Sequence, residues 1–265
     1  MKSVRIKNLS VEETERIIPP NTILLGYTGS ISHGTHIPTT NPDCIDDIDL
    51  MGVCVGNVSV YLGLGRFEQK EAKYKEWDSV VYEIRKFFSL LLKGNPNVLG
   101  LLWLNDEHYI HQTLAGTRLL ASRDLFVSKQ AYHAFIGYAY GQLKRMTHYK
   151  FEGYMGVKRK ELVDRFGYDV KNAAHLIRLL RMGIEFLVEG RLHVFRADRE
   201  ELKEIKSGGW TLERVKAESD VLFKTAHEVY AKSEIPAHPN FKKAEQLLIE
   251  IIETSLARQK AWEGI

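Results

Sequence analysis

Leu24-Leu25-Gly26-Tyr27-Thr28-Gly29-Ser30 and, beyond a loop, Asp46-Asp47-Ile48-Asp49-Leu50-Met51-Gly52-Val53 are the two stretches whose reading decides the fold. Both read as apolar strands with a chemical oddity at one end. The first runs out into Gly29-Ser30, a small-residue turn that lets a phosphate approach backbone N–H groups. The second opens on Asp47 and Asp49, spaced i, i+2, which a strand projects onto one face. That face continues as Met51, Val53 and Val55, while Ile48, Leu50 and Cys54 line the other. A strand buried on both faces should not carry paired acids unless something compensates them. A divalent cation such as Mg²⁺ suits, because it takes a few protein oxygens and shares the rest with water and phosphates.

The chain around these strands has 265 residues, 44% of them hydrophobic and 27% charged, an ordinary globular balance. No apolar run approaches a membrane span, and the start Met1-Lys2-Ser3-Val4-Arg5 precedes no apolar h-region. Cys44 and Cys54 form neither a CxxC nor a disulfide framework, so a reduced, cytoplasmic protein is expected. The net charge of +3 is uneven: residues 141–191 hold eleven Lys/Arg against six acids, a local +5 that leaves −2 for the remainder. A basic middle segment suits an anionic ligand, and equally a solvated helix face.

Taken in order, residues 4–18 read as a short strand or helix capping the sheet, and Thr22–Tyr27 as a strand. Ile31–Pro42 reads as a helical turn and then loop, and Asp47–Val55 as the acidic strand. Residues 56–77 fit either a loop or a protruding hairpin. Asp78–Tyr82 resumes as a strand and passes into a helix over Glu83–Lys93, ended by Gly94; Asn95-Pro96 starts the next. From Phe126 the pattern is nearly all helical, with long segments over 131–149, 168–189, 211–232 and 240–260, and a short strand over Arg191–Arg196. The fold class expected is α+β: a mixed sheet with helices over 1–125, then a helical module over 126–265 that completes a cleft.

Gly29-Ser30 fits no Walker A loop, dinucleotide fingerprint or GxSxG elbow. Its meaning comes from the acid pair that opens the next strand, since the two strands side by side would place a phosphate cradle beside metal ligands. Asp78, opening the third strand, is favoured as a further carboxylate, with Glu83 as the competitor. Lys171, His175 and Arg178 fall at i, i+4 and i+7 on one helix stripe, suited to clamp a triphosphate or an acceptor. His33, His36 and Cys44 match no common zinc module, and His33 reads more simply as a loop histidine near phosphates. Asp106-Glu107-His108 reads as a surface turn, and the aromatics of 131–154 mostly as core.

Gly29-Ser30-x-x-His33-Gly34 followed by Asp47-Ile48-Asp49-Leu50 resembles the hG[GS]…[DE]h[DE] signature of the DNA polymerase β-like nucleotidyltransferases. The longer similarity, over residues 22–190, is to the bacterial and phage members associated with RNA repair. It includes Lys86-Phe87 leading to Gly94-Asn95-Pro96-Asn97, Gly167-Tyr168-Asp169-x-Lys171 and His175-x-x-Arg178. The chain departs from the family in carrying Asp46 where Ser usually precedes the first acid.

The resemblance implies two Mg²⁺ ions, or Mn²⁺ in their place, held by Asp47, Asp49 and Asp78. They would activate an acceptor hydroxyl for attack on the α-phosphate of an NTP, and pyrophosphate would leave. Gly29, Ser30, His33, Lys171, His175 and Arg178 would hold the nucleotide. The acceptor would be an RNA or DNA end, a small molecule or a protein, with no membrane involved. A non-catalytic nucleotide or nucleic-acid binding module of the same fold is the alternative. Asp47→Asn should abolish transfer and leave the fold intact.

Overall fold

The computed structural model describes residue 6 and residues 9–37, 47–147 and 157–263. Asp46, Cys44, Tyr149, Phe151 and Tyr154 lie outside the described residues. A short helix α1 (Val11–Ile17), closed by a Ser10–Glu13 capping box, leads into strand β1 (Thr22–Tyr27). One helical turn, α2 (Gly29–Ser32), and strand β2 (Ile48–Cys54) follow. Helix α3 (Val58–Leu62) precedes strands β3 (Gln69–Tyr74) and β4 (Trp77–Glu83), a hairpin turned by Lys75-Glu76 with Lys75 at φ 54°. The hairpin alternative for 56–77 therefore applies from Gln69, and its first part is helical.

Helices α4 (Ile84–Leu92) and α5 (Pro96–Leu101) start where capping chemistry puts them, at Glu83 and at Asn95-Pro96. Strand β5 (Tyr109–Gln112) comes next, after a turn over Asp106–His108. The chain then continues through α6 (Leu114–Ala121), α7 (Gln130–Thr147), α8 (Val157–Phe166) and α9 (Val170–Glu189). It ends with α10 (Arg199–Lys206), α11 (Leu212–Lys232) and α12 (Phe241–Glu263).

The sheet order is β3-β4-β2-β1-β5, with β2 and β4 parallel and the other pairs antiparallel. Alternation along the strands sorts the core as expected. Leu24, Met51 and Val53 join Phe87, Leu91, Phe135 and Phe186 on the helix-covered face. Leu25, Leu50, Cys54 and Val81 join Ile17 and Trp77 on the other. Each fully buried side chain of this size contributes about 1.5–3 kcal/mol. The larger cluster crosses residue 125 without a break, so sheet and helices share one interior.

Arg191–Arg196 is not a strand, contrary to the alternation of Leu192 and Val194. Those two side chains are buried, but the backbone joins no ladder. The segment is held instead by Arg196 N–H to His33 O (3.3 Å) and by the Arg196 guanidinium on Glu185 and Asp198. The aromatics of α7 also differ from expectation. Phe135 is buried, whereas Tyr138 and Tyr140 are 39% and 50% exposed.

Candidate functional site

The end of β1 meets the start of β2 at one residue pair. Gly29 adopts φ 61°, and a Cβ there would collide with the Asp49 carboxylate. Glycine is thus required twice, by backbone conformation and by close approach to an acid. Thr28 N–H donates to Asp49 O at 2.9 Å, tying the turn to the acidic strand. Ser30 Oγ sits 3.1 Å from His36 Nδ1.

Across the parallel β2–β4 pair, Asp49 stands in register with Asp78. Both line a cavity of about 660 Å³, along with Gly29, Ser30 and His33. Asp47 does not line it. It precedes β2, is exposed, and pairs with Lys73 Nζ at 2.9 Å. The Lys73 ammonium is held above its ordinary pKa chiefly by that hydrogen bond, with Asp78 and Asp49 adding to it.

Glu83, the competitor for third carboxylate, is consumed elsewhere. It is 2% exposed, caps α4 through Arg85 N–H and Lys86 N–H, and accepts from the Tyr61 hydroxyl at 2.6 Å. Asp78 is the acid beside Asp49. Among the described residues no group of three His, Cys, Asp or Glu side chains gathers as a metal cluster.

Helix α9 lines the cavity with Lys171, His175 and Arg178. Its start is fixed by Asp169, whose side chain accepts from Asn172 N–H, and its end by Gly190 in the left-handed conformation. Arg178 is 9% exposed, yet no carboxylate among the described residues pairs with it. Among the described residues its Nη1 donates only to Met182 Sδ (3.3 Å), and its Nε has no partner. Burial, with Arg196 beside it, pulls its pKa down to about 10.

His33 and His175 are both held well below the ordinary imidazole range. Burial is the first cause for each, and the Arg178 charge the second. His33 Nδ1 lies 2.9 Å from Val194 O, so it carries the proton and leaves Nε2 as an acceptor in the neutral ring.

A third wall comes from α5 and α7, with Asn97, Gly137, Tyr138, Gly141 and Gln142. Of these, Asn97 stands in the family-like Gly94-Asn95-Pro96-Asn97 stretch and Tyr138 among the aromatics of 131–154, but the sequence reading assigns a site role to none. The available signal was two glycines four apart inside a long helix, where glycine is costly.

The arrangement of Gly-Ser turn, strand-borne acid pair and cationic helix is that of a nucleotidyltransferase-like protein of the polymerase β type. The chain belongs to the RNA repair pathway DNA polymerase beta family (RlaP), whose family model matches residues 1–250. A comparison with curated proteins gave no match. No helix among the described residues is long and apolar enough to cross a membrane.

Proposed function

We propose that the protein transfers an NMP from an NTP to a hydroxyl at an RNA end, with loss of pyrophosphate. The observation that carries this reading is one cavity holding a carboxylate pair on its sheet wall and a buried, carboxylate-free Arg178 on its helical wall. A buried guanidinium without an anion is costly, and a bound triphosphate would supply the missing charge. The family description supports RNA repair as the setting and leaves DNA ends, small molecules and proteins as acceptors to be compared.

Asp49 and Asp78 fit Mg²⁺, which uses one or two carboxylates and completes its shell with water and phosphate oxygens. A bound Mg²⁺ pair, or Mn²⁺ in its place, would neutralise phosphate charge and make the acceptor hydroxyl a better nucleophile. Asp47 would join on release from Lys73, an exposed ion pair of the kind worth little in water.

Within the protein, Arg178 and Lys171 take the negative charge that grows on the departing pyrophosphate. Gly29 and Ser30 set the position of the phosphates over Asp49. His33, an acceptor at Nε2, suits a ribose or acceptor hydroxyl better than a phosphate oxygen.

The test is incubation with Mg²⁺ and each NTP labelled at the α-phosphate, offering RNA, DNA and protein as acceptors. Label should pass to RNA and be lost in Asp49→Asn and Asp78→Asn. Undiminished transfer with normal metal dependence in Asp49→Asn would overturn the reading. Nucleotide binding without transfer to any acceptor would favour the non-catalytic module.

A further inference from the structure

Helix α7 presents Gly137 and Gly141 to the cavity at i, i+4, one above the other on the same face. A glycine inside a helix is about 1 kcal/mol less favourable than alanine. Packing among the described residues explains neither glycine, because a Cβ at either position meets nothing of them within 4 Å. Gly183 on α9 is the contrast: a Cβ there would press on Phe135 at 3.1 Å, so that glycine serves helix packing.

Beside the bare face, Gln142 is 9% exposed and lines the cavity, and its Oε1 has no hydrogen-bond partner among the described residues. A buried amide oxygen left unpaired costs about 1–3 kcal/mol. One turn earlier, Tyr138 also lines the cavity, and its oxygen accepts from Asn95 Nδ2 at 2.9 Å, which leaves the hydroxyl proton to be donated elsewhere.

Resting on the nucleotide reading above, we propose that this face of α7 is the nucleobase subsite and selects bases whose Watson–Crick edge sets an amino group beside a ring nitrogen acceptor. The two glycines form a flat floor against which a planar ring can lie. Gln142 Oε1 accepts from the exocyclic amino group, and the Tyr138 O–H donates to the neighbouring ring nitrogen. Adenine and cytosine share that donor–acceptor edge. On that edge uracil and guanine set a carbonyl oxygen against Gln142 Oε1, two acceptors face to face that only a turn of the amide would relieve.

The test is calorimetric titration of the full chain with ATP, CTP, GTP, UTP and inorganic tripolyphosphate in Mg²⁺. ATP or CTP, and the two arms separate purine from pyrimidine, should bind at least about tenfold more tightly than GTP and UTP, as one good hydrogen bond allows. Gln142→Leu should erase that preference. Gly141→Leu should weaken the preferred NTP by about tenfold or more and leave tripolyphosphate binding unchanged. Gly141→Ala, with open space for its methyl, should fold at least as stably as the parent and serves as the folding control.

Equal affinity for all four NTPs would overturn the proposal while leaving the triphosphate site standing. So would a Gly141→Leu variant that loses tripolyphosphate and NTP alike. Failure of the parent protein to bind tripolyphosphate or any NTP would instead overturn the nucleotide reading on which the subsite rests.

Discussion

Arg178 and Arg181 lie three residues apart on α9 and have opposite surroundings. Arg181 meets Asp198 at 2.8 Å and Glu218 at 3.1 Å, and also contacts Glu201. Burial works against its charge, but these three acids hold its pKa above the ordinary guanidinium value. Arg196 belongs to the same network through Glu185 and Asp198. Arg178, more deeply buried, has a thioether for company and an unpaired Nε, and its pKa is pulled down. One arginine is a rivet between α9 and the 196–218 segment. The other is a cation left waiting for an anion from outside the protein. A buried cation that no described carboxylate pairs with is the strongest pointer to ligand chemistry among the described residues.

The largest effect should come from the wall that shares the cavity with Arg178. Asp49→Asn should lower transfer by about 10²–10³-fold or more, since the site would lose a preorganised charge that acts on the transition state. Its thermal midpoint should stay close to the parent's, so that steady-state kinetics beside a melting curve separates chemistry from folding.

Next in size is a stability contrast within α9. Arg181→Met strips charge-assisted hydrogen bonds from three acids and should cost about 1.5–3 kcal/mol. In a chain of this length that is a fall of about 2–4 °C in melting temperature for each kcal/mol. Arg178→Met removes an unpaired buried charge and should not lower the melting temperature. Equal losses in the two variants would erase the distinction between rivet and waiting cation.

The same cavity should make folding sensitive to acid. His33 and His175 have pKa values well below normal in the folded protein, whereas an unfolded histidine titrates near about 6.5. Above that pH both states are neutral. Below it the unfolded chain takes up protons that the folded chain refuses, so stability falls as pH falls. The slope reaches at most about 1.4 kcal/mol per pH unit for each histidine, and it ends at the folded pKa. Urea melts between about pH 7.5 and about pH 5.5 should show this decline, and His175→Gln should make it shallower, with His33 and the less strongly lowered His108 and His111 supplying what remains. A flat profile would mean that the imidazoles are not excluded from protonation.

The smallest effect is expected at Lys73→Ala. Its pair with Asp47 is more than half exposed on the lysine side, and stability should change by less than about 0.5 kcal/mol. A larger loss would mean that Asp47 is structurally fixed where it stands.

The sheet half of the site was readable from residue pattern because period-2 alternation assigns faces without tertiary information. Asp49, Met51 and Val53 share a face in the sequence and in the fold, and Asp78 takes its place beside Asp49 once β2 and β4 pair. The Gly29-Ser30 turn was equally legible, although the glycine is demanded by Asp49 as well as by its own φ.

Asp47 was read as the equal of Asp49, because nothing local reveals that the β3–β4 hairpin carries Lys73 to it. Lys171, His175 and Arg178 were legible as a stripe. The isolation of Arg178 was not, since Arg178 and Arg181 look alike until the carboxylates of other elements are positioned. Tyr109–Gln112 escaped as a strand because it has four residues and only Tyr109 and Ile110 to suggest burial; its pairing depends on β1 beside it. Leu192 and Val194 alternate like a strand but are buried without joining a ladder, the segment being tied by Arg196 N–H to His33 O and by the Arg196 guanidinium.

The most direct test of the central claim is a calorimetric titration of tripolyphosphate and NTP, in Mg²⁺, into the parent protein and Arg178→Met. If Arg178 waits for a triphosphate, both ligands should bind the parent and weaken by about 10- to 100-fold in the variant, the worth of one or two charge-assisted hydrogen bonds. Equal affinity in the two proteins would contradict the account and leave Arg178 as a buried charge with no ligand to explain it.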